Sequence, residues 1–258
     1  MNQRERREAL IRALLNENPD LRDLRIPGDE AERKTLLRGL MNIRPPMAAD
    51  PAFLTLQGEY LREESNERGV VRVAELSPVR PGLYLWQGDI TRLQCDAIVN
   101  AANSGMTGCY VPNHRCIDNA IHTYAGVELR LACEELMRRQ GHPEPTGQAK
   151  ITPAFHLPSK YILHTVGPIV RGKVTEQDKR SLASCYRACL ELAAEHGLES
   201  VAFCCISTGE FGFPNEPAAE IAVETVGSFL TGNTSIGKVI FNVFKDKDRE
   251  IYERLLAN

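Results

Sequence analysis

Two cysteines and a histidine lie within eight residues of one another, spaced as C-x4-H-x-C at Cys109, His114 and Cys116. Thiolate sulfur and imidazole nitrogen are ligands that Zn²⁺ prefers, and three protein ligands leave the fourth tetrahedral position for water or substrate, as catalytic zinc requires. Two other interpretations stay open. In the first, the three are ordinary loop side chains that bind no metal. In the second, a fourth ligand such as Cys205 or His122 completes a structural zinc site.

Two carboxylates are further candidates for chemistry. Asp118 follows the C-x4-H-x-C set at the start of a predicted helix, where a negative charge interacts favourably with the helix dipole. It is therefore either a catalytic residue or a helix cap. Glu210 lies in a glycine-rich loop, where its charge is costly beside a phosphate unless it faces a metal, a water or solvent. The alternative for Glu210 is a solvent-facing loop acid.

Polar or glycine-rich segments follow three predicted strands, at residues 88–90, 100–103 and 207–214. Ligands of open α/β sheets bind outside the carboxyl ends of the strands, so these segments are predicted to share one site. The third leads into a helix that opens near Pro214 or Pro217. Its backbone N–H groups and the helix N-terminus can hold a pyrophosphate without a lysine. The alternative is a tight turn between strand and helix.

A sheet is needed to position these segments, and the hydrophobic pattern from about residue 82 onward predicts one. Short apolar runs alternate with helical periodicity, which indicates an α/β sandwich with a mostly parallel or mixed sheet. The predicted strands are 83–89, 96–103, 160–167, 200–207 and 238–244, and the predicted helices lie near 117–140, 178–196 and 215–230, with a short one at the end.

The N-terminal region has a different character. Residues 4–70 are rich in Arg, Glu and Leu with helical spacing, and several prolines interrupt them. We therefore predict a helical N-terminal extension over residues 1–75 and a second domain over residues 76–258.

Composition and charge limit the classes of function. With 258 residues, 43% of them hydrophobic, and a formal charge of -3, the chain can bury a full core but has no basic field to concentrate nucleic acid or an anionic membrane. No apolar stretch approaches the ~20 residues of a membrane span and no signal peptide is present, so a cytoplasmic protein is expected. The eight cysteines are therefore interpreted as thiols.

Four segments together resemble one known family. In chain order they read GDITRLQCDAIVNAANSGMTG, IDNAIHTYAG, TGQAKITPAFHLPSKYILHTVGP and ISTGEFGFP. Over residues 82–258 the chain resembles a macrodomain of the MacroD type. The resemblance implies a three-layer α/β/α fold with a mixed, mostly parallel sheet, and ADP-ribose as the ligand.

The resemblance also implies a role for each polar segment. Asp89, with Ile90, is expected to bind the adenine amino group, while Asn100 and Asn103 are expected to approach the distal ribose. The loop expected to wrap the diphosphate comprises Ser207, Thr208, Gly209, Glu210, Phe211 and Gly212, with Phe211 near the distal ribose.

The expected catalytic residues are Asp118, Asn103 and Glu210, of which Asp118 matches the family's catalytic aspartate. One segment departs from the MacroD pattern. Residues 108–118, which contain the C-x4-H-x-C set, replace a run of glycines. This departure resembles the zinc-containing branch of macrodomains, which also carries a helical N-terminal extension.

The function expected from the sequence is zinc-dependent removal of mono-ADP-ribose from protein side chains. The bond expected to be cleaved links the ADP-ribose to the carboxylate of an Asp or Glu. An ADP-ribose reader and an O-acetyl-ADP-ribose deacetylase are the alternatives. The acidic balance and missing basic groove argue against an RNA-phosphate processor. Expected partners are ADP-ribose and an ADP-ribosylated protein such as a lipoyl-carrier protein, with no nucleic acid and no membrane, and the chain is expected to be a monomer.

Overall fold

The computed structural model describes residues 1–232 and 234–257. Its N-terminal part consists of three helices, α1 (Gln3–Glu17), α2 (Glu30–Ile43) and α3 (Pro51–Arg68). Each begins after a polar residue, Asn2, Asp29 or Asp50, whose side chain accepts a hydrogen bond from the first turn. The predicted helical extension is therefore present.

The rest of the chain is built around a mixed sheet. Among the described residues, its seven strands are β2 (Pro78–Arg80), β3 (Leu83–Gln87), β5 (Ala97–Ala101), β6 (Ala149–Pro153), β7 (Tyr161–Thr165), β8 (Ser200–Phe203) and β9 (Lys238–Val243), while β1 (Val71–Arg72) and β4 (Leu93–Gln94) form a separate pair. The order is β2-β3-β9-β8-β5-β7-β6. The neighbours from β3 to β7 are parallel and the two edge pairs are antiparallel, which confirms the predicted sheet.

Helices cover both faces of this sheet. They are α4 (Ile117–Ala125), α5 (Val127–Gln140), α6 (Glu176–Glu195), α7 (Asn215–Leu230) and α8 (Asp246–Ala257). All four residues of β8 and four of the five in β5 are buried. Because successive side chains of a strand point to opposite faces, both faces must be covered. The expected three-layer α/β/α architecture is confirmed.

The prediction of one helix over residues 117–140 was wrong, because Gly126 separates α4 from α5. Gly126 has φ 97°, in the region that favours glycine. A Cβ there would lie 2.7 Å from both Gln57 Nε2 and Glu128 Oε2. The break allows Gln57, from α3, to accept a hydrogen bond from the Val127 N–H at 3.0 Å.

The two edge strands β2 and β6 were not predicted. Both are short and contain a proline, Pro78 and Pro153. A proline cannot donate to the ladder, so it lowers the strand signal and is tolerated at an edge. The polar segments were predicted at the carboxyl ends of parallel strands, away from these two outer strands.

Two hydrophobic clusters underlie the two parts of the chain. One contains buried residues between Val73 and Leu256, and the other contains buried residues between Leu10 and Leu61 together with Val127. Val73 belongs to the cluster of the second part, so the clusters separate a few residues before the predicted division at residues 75 and 76, which stays a prediction. In the part of the chain that the structure describes, no helix is long and apolar enough to cross a membrane.

Candidate active site

The carboxyl ends of three parallel strands bring the predicted ligand segments to one edge of the sheet. Asp89 follows β3, Asn100 lies near the end of β5, and Ser207 follows β8. Since β3, β9, β8 and β5 are parallel neighbours, these residues lie at the same edge. Asp118, in the first turn of α4, lies beside these strand ends.

Asp118 is held by the two asparagines of the second segment. Asn100 Nδ2 donates to Asp118 Oδ1 at 2.8 Å, and Asn103 Nδ2 donates to Asp118 Oδ2 at 3.3 Å. The carboxyl group is only 5% exposed. Within the described part of the chain, Asn100 Oδ1 is buried without a hydrogen-bond partner, which leaves an acceptor for a ligand. The sequence prediction that these three residues share one site is supported by this geometry.

Asp118 is not the cap of its helix. Cys116 occupies the N-cap position, and its Sγ accepts from the Asn119 N–H at 3.4 Å, so Asp118 lies inside the first turn. Burial raises the pKa of Asp118 to about 6, while the hydrogen bonds from Asn100 and Asn103 oppose that rise. The carboxylate form therefore predominates at neutral pH.

Two buried histidines lie behind Asp118. His164 Nδ1 is 3.2 Å from Asn100 Nδ2 and its Nε2 is 2.9 Å from Thr152 Oγ1, so both ring nitrogens have a hydrogen-bond partner. His122 Nε2 lies 3.5 Å from Asp118 Oδ1. Burial lowers the pKa of His164 to about 3 and that of His122 well below its usual value, so both rings are neutral.

The C-x4-H-x-C residues form a compact cluster. Ligand atoms of Cys109, His114 and Cys116 all lie within 4.8 Å of one another, and Cys109 Sγ is 3.5 Å from His114 Nδ1. Two sulfurs and an imidazole nitrogen are a suitable donor set for zinc. In residues 1–232 and 234–257, no fourth cysteine, histidine or carboxylate joins the cluster. Neither Cys205 nor His122 belongs to it.

Helix α2 of the extension holds the loop that carries these ligands. Arg38 Nη2 donates to the His114 carbonyl at 3.1 Å and to Asn119 Oδ1 at 2.9 Å. Asn42 Oδ1 accepts from the Asn113 N–H at 2.9 Å. The backbone on both sides of the histidine is therefore fixed by side chains that come from 71 to 81 positions earlier in the sequence.

Glu210 faces the same cluster. Its Oε1 lies 3.6 Å from His114 Nε2, the ring nitrogen opposite the one that faces Cys109. Its side chain is 72% exposed. A carboxylate in this position fits the acceptor that usually orients a metal-bound histidine from its far side. The geometry accordingly favours a role beside the metal cluster over direct contact with a phosphate.

The glycine-rich loop after β8 has the backbone of an anion site. Ser207 has φ 64° and Gly212 has φ 69°. Among the described residues, the N–H groups of Gly209, Glu210 and Phe211 donate no hydrogen bond, and α7 begins without a side-chain cap. Ser207 Oγ is also buried, with no hydrogen-bond partner in residues 1–232 and 234–257. Unsatisfied donors at a turn and a helix N-terminus suit a diphosphate.

Asp89 caps the short 3₁₀ turn at 90–92 after β3. Its Oδ1 accepts from the Thr91 N–H at 3.0 Å and from Thr91 Oγ1 at 2.7 Å, and its Oδ2 accepts from Arg68 Nη2 at 2.7 Å. The side chain remains 32% exposed. Ile90 is 1% exposed, so a ligand contact there must use its backbone.

Sequence reasoning did not find Arg38, Asn42 or Arg68, the extension residues that contact the site. All three lie in helical stretches rich in charged residues, where an arginine or asparagine normally faces solvent. Their partners are 21 to 81 positions away, and no local pattern carries such information.

Comparison with known proteins supports this description. A family model described as Macro domain matches residues 99–222. The chain is 55% identical over 261 residues to a protein-ADP-ribose hydrolase of Treponema medium, with both chains fully covered. It is 48% identical to one of Staphylococcus aureus (strain MSSA476), covering 96% of this chain and 94% of the relative.

A solved structure agrees with these relatives. The Trypanosoma brucei macrodomain in complex with ADP-ribose superimposes with a TM-score of 0.66 at 30% identity, covering 84% of this chain and 94% of that one. This chain is a member of the macrodomain family.

Proposed function

We propose that this protein is a zinc-dependent hydrolase that removes mono-ADP-ribose from protein side chains, with a carboxylate linkage to Asp or Glu as the preferred substrate. The observation that carries the proposal is the three-ligand Cys109, His114 and Cys116 cluster, two residues before the buried carboxylate of Asp118. The relatives named protein-ADP-ribose hydrolase support the same reaction.

The zinc ligands proposed are Cys109, His114 and Cys116. A zinc ion bound by these three would keep one coordination position and supply a Lewis acid that polarises a water or holds a ribose hydroxyl. Glu210, whose Oε1 is 3.6 Å from His114 Nε2, is proposed to move closer and accept a hydrogen bond from the Nε2–H when zinc is bound, and so fix the orientation of the ring.

Asp118 is the proposed general base. Its carboxylate takes a proton from the water whose oxygen bonds to C1″ of the distal ribose, and the C1″–O bond to the modified side chain breaks. The bonding electrons leave with the side-chain oxygen. Asn100 and Asn103 fix the direction of the carboxylate through their hydrogen bonds. The loop from Ser207 to Gly212 is proposed to hold the diphosphate.

The reader module and the O-acetyl-ADP-ribose deacetylase remain the alternatives. A reader needs Asp89 and the diphosphate loop, but it has no use for an open metal cluster beside a buried carboxylate. A deacetylase would use the same residues on a smaller substrate. The hydrolase is favoured because both catalytic features lie on one loop and helix at the same edge of the sheet.

A panel of linkages tests this function. Purified protein with its metal content measured is incubated with peptides that carry ADP-ribose on aspartate, glutamate, serine or arginine, and free ADP-ribose is quantified. We expect release from the carboxylate-linked peptides with one zinc per chain. Tight ADP-ribose binding without release from any peptide would identify a reader instead.

Three finer expectations about partners and place belong to the proposal. We infer a cytoplasmic monomer, and we infer that a lipoyl-carrier protein is one candidate for the modified partner. The exposed charged surface of the extension and the formal charge of -3 are compatible with a protein that stays in solution on its own.

Replacing Asp89 should weaken ADP-ribose binding. Asp89→Ala removes the acceptor proposed for the adenine amino group, a charge-assisted hydrogen bond worth about 1.5–3 kcal/mol. The affinity for ribose 5-phosphate, which lacks the base, should change little. Calorimetry with both ligands measures the difference. Equal losses for the two would contradict the placement of adenine at Asp89.

Replacing Arg38 should weaken metal binding without removing a ligand. Arg38→Ala leaves the His114 carbonyl without its 3.1 Å donor, so the loop becomes less ordered before metal binds. Partners that orient metal ligands are typically worth roughly 10–100-fold in metal affinity. Competition with a zinc chelator measures the affinity, and Arg12→Ala, an exposed change on α1, is the control. Unchanged zinc affinity in Arg38→Ala would contradict the prediction.

A further inference from the structure

The end of helix α3 reaches the proposed adenine subsite from outside the sheet. Arg68, its last residue, donates from Nη2 to Asp89 Oδ2 at 2.7 Å and to Thr91 Oγ1 at 2.6 Å. Its side chain is 19% exposed. The N-terminal extension therefore touches the same carboxylate that is proposed to read the base.

Arg68 is held in one orientation by a third element. Its guanidinium carbon lies 3.6 Å from the centroid of the Tyr124 ring, which belongs to α4. A planar guanidinium on an aromatic face loses its freedom to rotate, while its edge still presents N–H donors. The arginine is thus fixed by stacking on Tyr124 and points its donors at Asp89 and Thr91.

The Asp89 carboxylate keeps one acceptor position for a ligand. A carboxylate offers about four lone-pair directions. The Thr91 N–H and hydroxyl fill two at Oδ1, and Arg68 fills one at Oδ2. One direction at Oδ2 remains on a side chain that is 32% exposed. That direction suits a single N–H donor, such as the amino group at position 6 of a purine.

We propose that Arg68 is a positioning residue of the base subsite, through which the N-terminal extension sets selectivity for an amino purine. Arg68 occupies one acceptor position on Asp89 Oδ2, so the remaining lone pair of that oxygen is left to accept a hydrogen bond from the base. A 6-oxo purine would present an oxygen to that lone pair and be rejected. The inference deepens the proposed function and rests on ADP-ribose being the ligand.

The test compares two ligands that differ at one position of the base. Affinities for ADP-ribose and for its hypoxanthine analogue, inosine diphosphate ribose, are measured by calorimetry for the full chain and four variants. Wild type should prefer ADP-ribose by roughly 10-fold or more, the size of one charge-assisted hydrogen bond. Asp89→Ala should abolish the preference, Arg68→Ala should reduce it to within about 3-fold of unity, and Arg68→Lys should restore part of it.

Arg92→Ala is the matched control. Arg92 Nε donates to the Gly69 carbonyl at 2.8 Å, so its side chain ties the same end of α3 to the same turn. Arg92 meets Asp89 through the backbone alone, where its N–H donates to the Asp89 carbonyl at 2.9 Å, a bond that the alanine variant keeps. It should keep the wild-type preference even if the melting temperature falls. Equal loss of preference in Arg68→Ala and Arg92→Ala, or full preference retained by Arg68→Ala while Asp89→Ala loses it, would overturn the proposal. Failure of wild type to bind ADP-ribose would instead overturn the proposed function.

Discussion

In a single-turnover assay on a carboxylate-linked substrate, Asp118→Ala should lower the rate of ADP-ribose release by roughly 10²–10⁴, the usual contribution of a general base. Its affinity for ADP-ribose should stay within about 3-fold of wild type, because Asp89 and the loop from Ser207 to Gly212 are the residues proposed to hold most of the nucleotide. The physical reason is the proposed role of Asp118 as the general base, whose carboxylate is oriented by hydrogen bonds from Asn100 and Asn103.

Two controls separate this loss from a loss of stability. Asp118→Asn keeps the size of the side chain but cannot accept the proton, so it should lose the rate as well. Asp178→Ala removes a first-turn aspartate whose Oδ2 accepts from the Thr175 N–H of α6 at 2.8 Å. It should lower the melting temperature through loss of the capping box and leave the rate per folded molecule unchanged. A normal rate with a lowered melting temperature in Asp118→Ala would remove this residue from the mechanism.

Cys116→Ala should lose both zinc and activity, and the double change of Cys109 and Cys116 to alanine should contain no stoichiometric metal. Cys116 is also the N-cap of α4, since its Sγ accepts from the Asn119 N–H. Cys116→Ser keeps a capping oxygen while removing the soft sulfur ligand. Loss of zinc in both single variants therefore reports on the metal rather than on the cap. Elemental analysis and the release assay measure the two effects.

Measuring zinc content also distinguishes a three-ligand site, which leaves one coordination position open, from a structural site with four protein ligands. Cys205 and His122 are the candidates for a fourth ligand, and both lie outside the cluster. Cys205→Ala and His122→Ala should therefore retain one zinc per chain. The fold should survive without metal, because a short loop contributes little to a domain with this large a core. Stoichiometric zinc in the double cysteine variant would contradict the assignment.

Much of this fold could be predicted because its signals are local. The apolar runs that became β3, β5, β7, β8 and β9 are bounded by polar or glycine-rich turns, and the intervening helices show their periodicity within one window. The C-x4-H-x-C set is also local. Eight residues of loop bring its three ligand atoms within 4.8 Å of one another.

The parts that could not be predicted depend on distant partners. At Gly126, where the backbone has φ 97°, a Cβ would lie 2.7 Å from the Gln57 side chain of α3, a contact that helical periodicity does not reveal. Cys116, rather than Asp118, caps α4, because the loop that holds its sulfur is fixed by contacts from α2. Arg68 reads as a surface residue until its partner, Tyr124, is known. Residues that act across elements are visible only once the elements are packed.

We expect release of ADP-ribose to need both the zinc cluster and Asp118. The most direct measurement compares the release rate from one carboxylate-linked peptide for protein as purified, protein stripped by a chelator, and stripped protein given back one equivalent of zinc, with ADP-ribose affinity measured on the same samples. We expect the stripped protein to bind ADP-ribose but to release it from the peptide at least ~10²-fold more slowly, and zinc to restore the rate. Equal rates in the three samples would contradict the account.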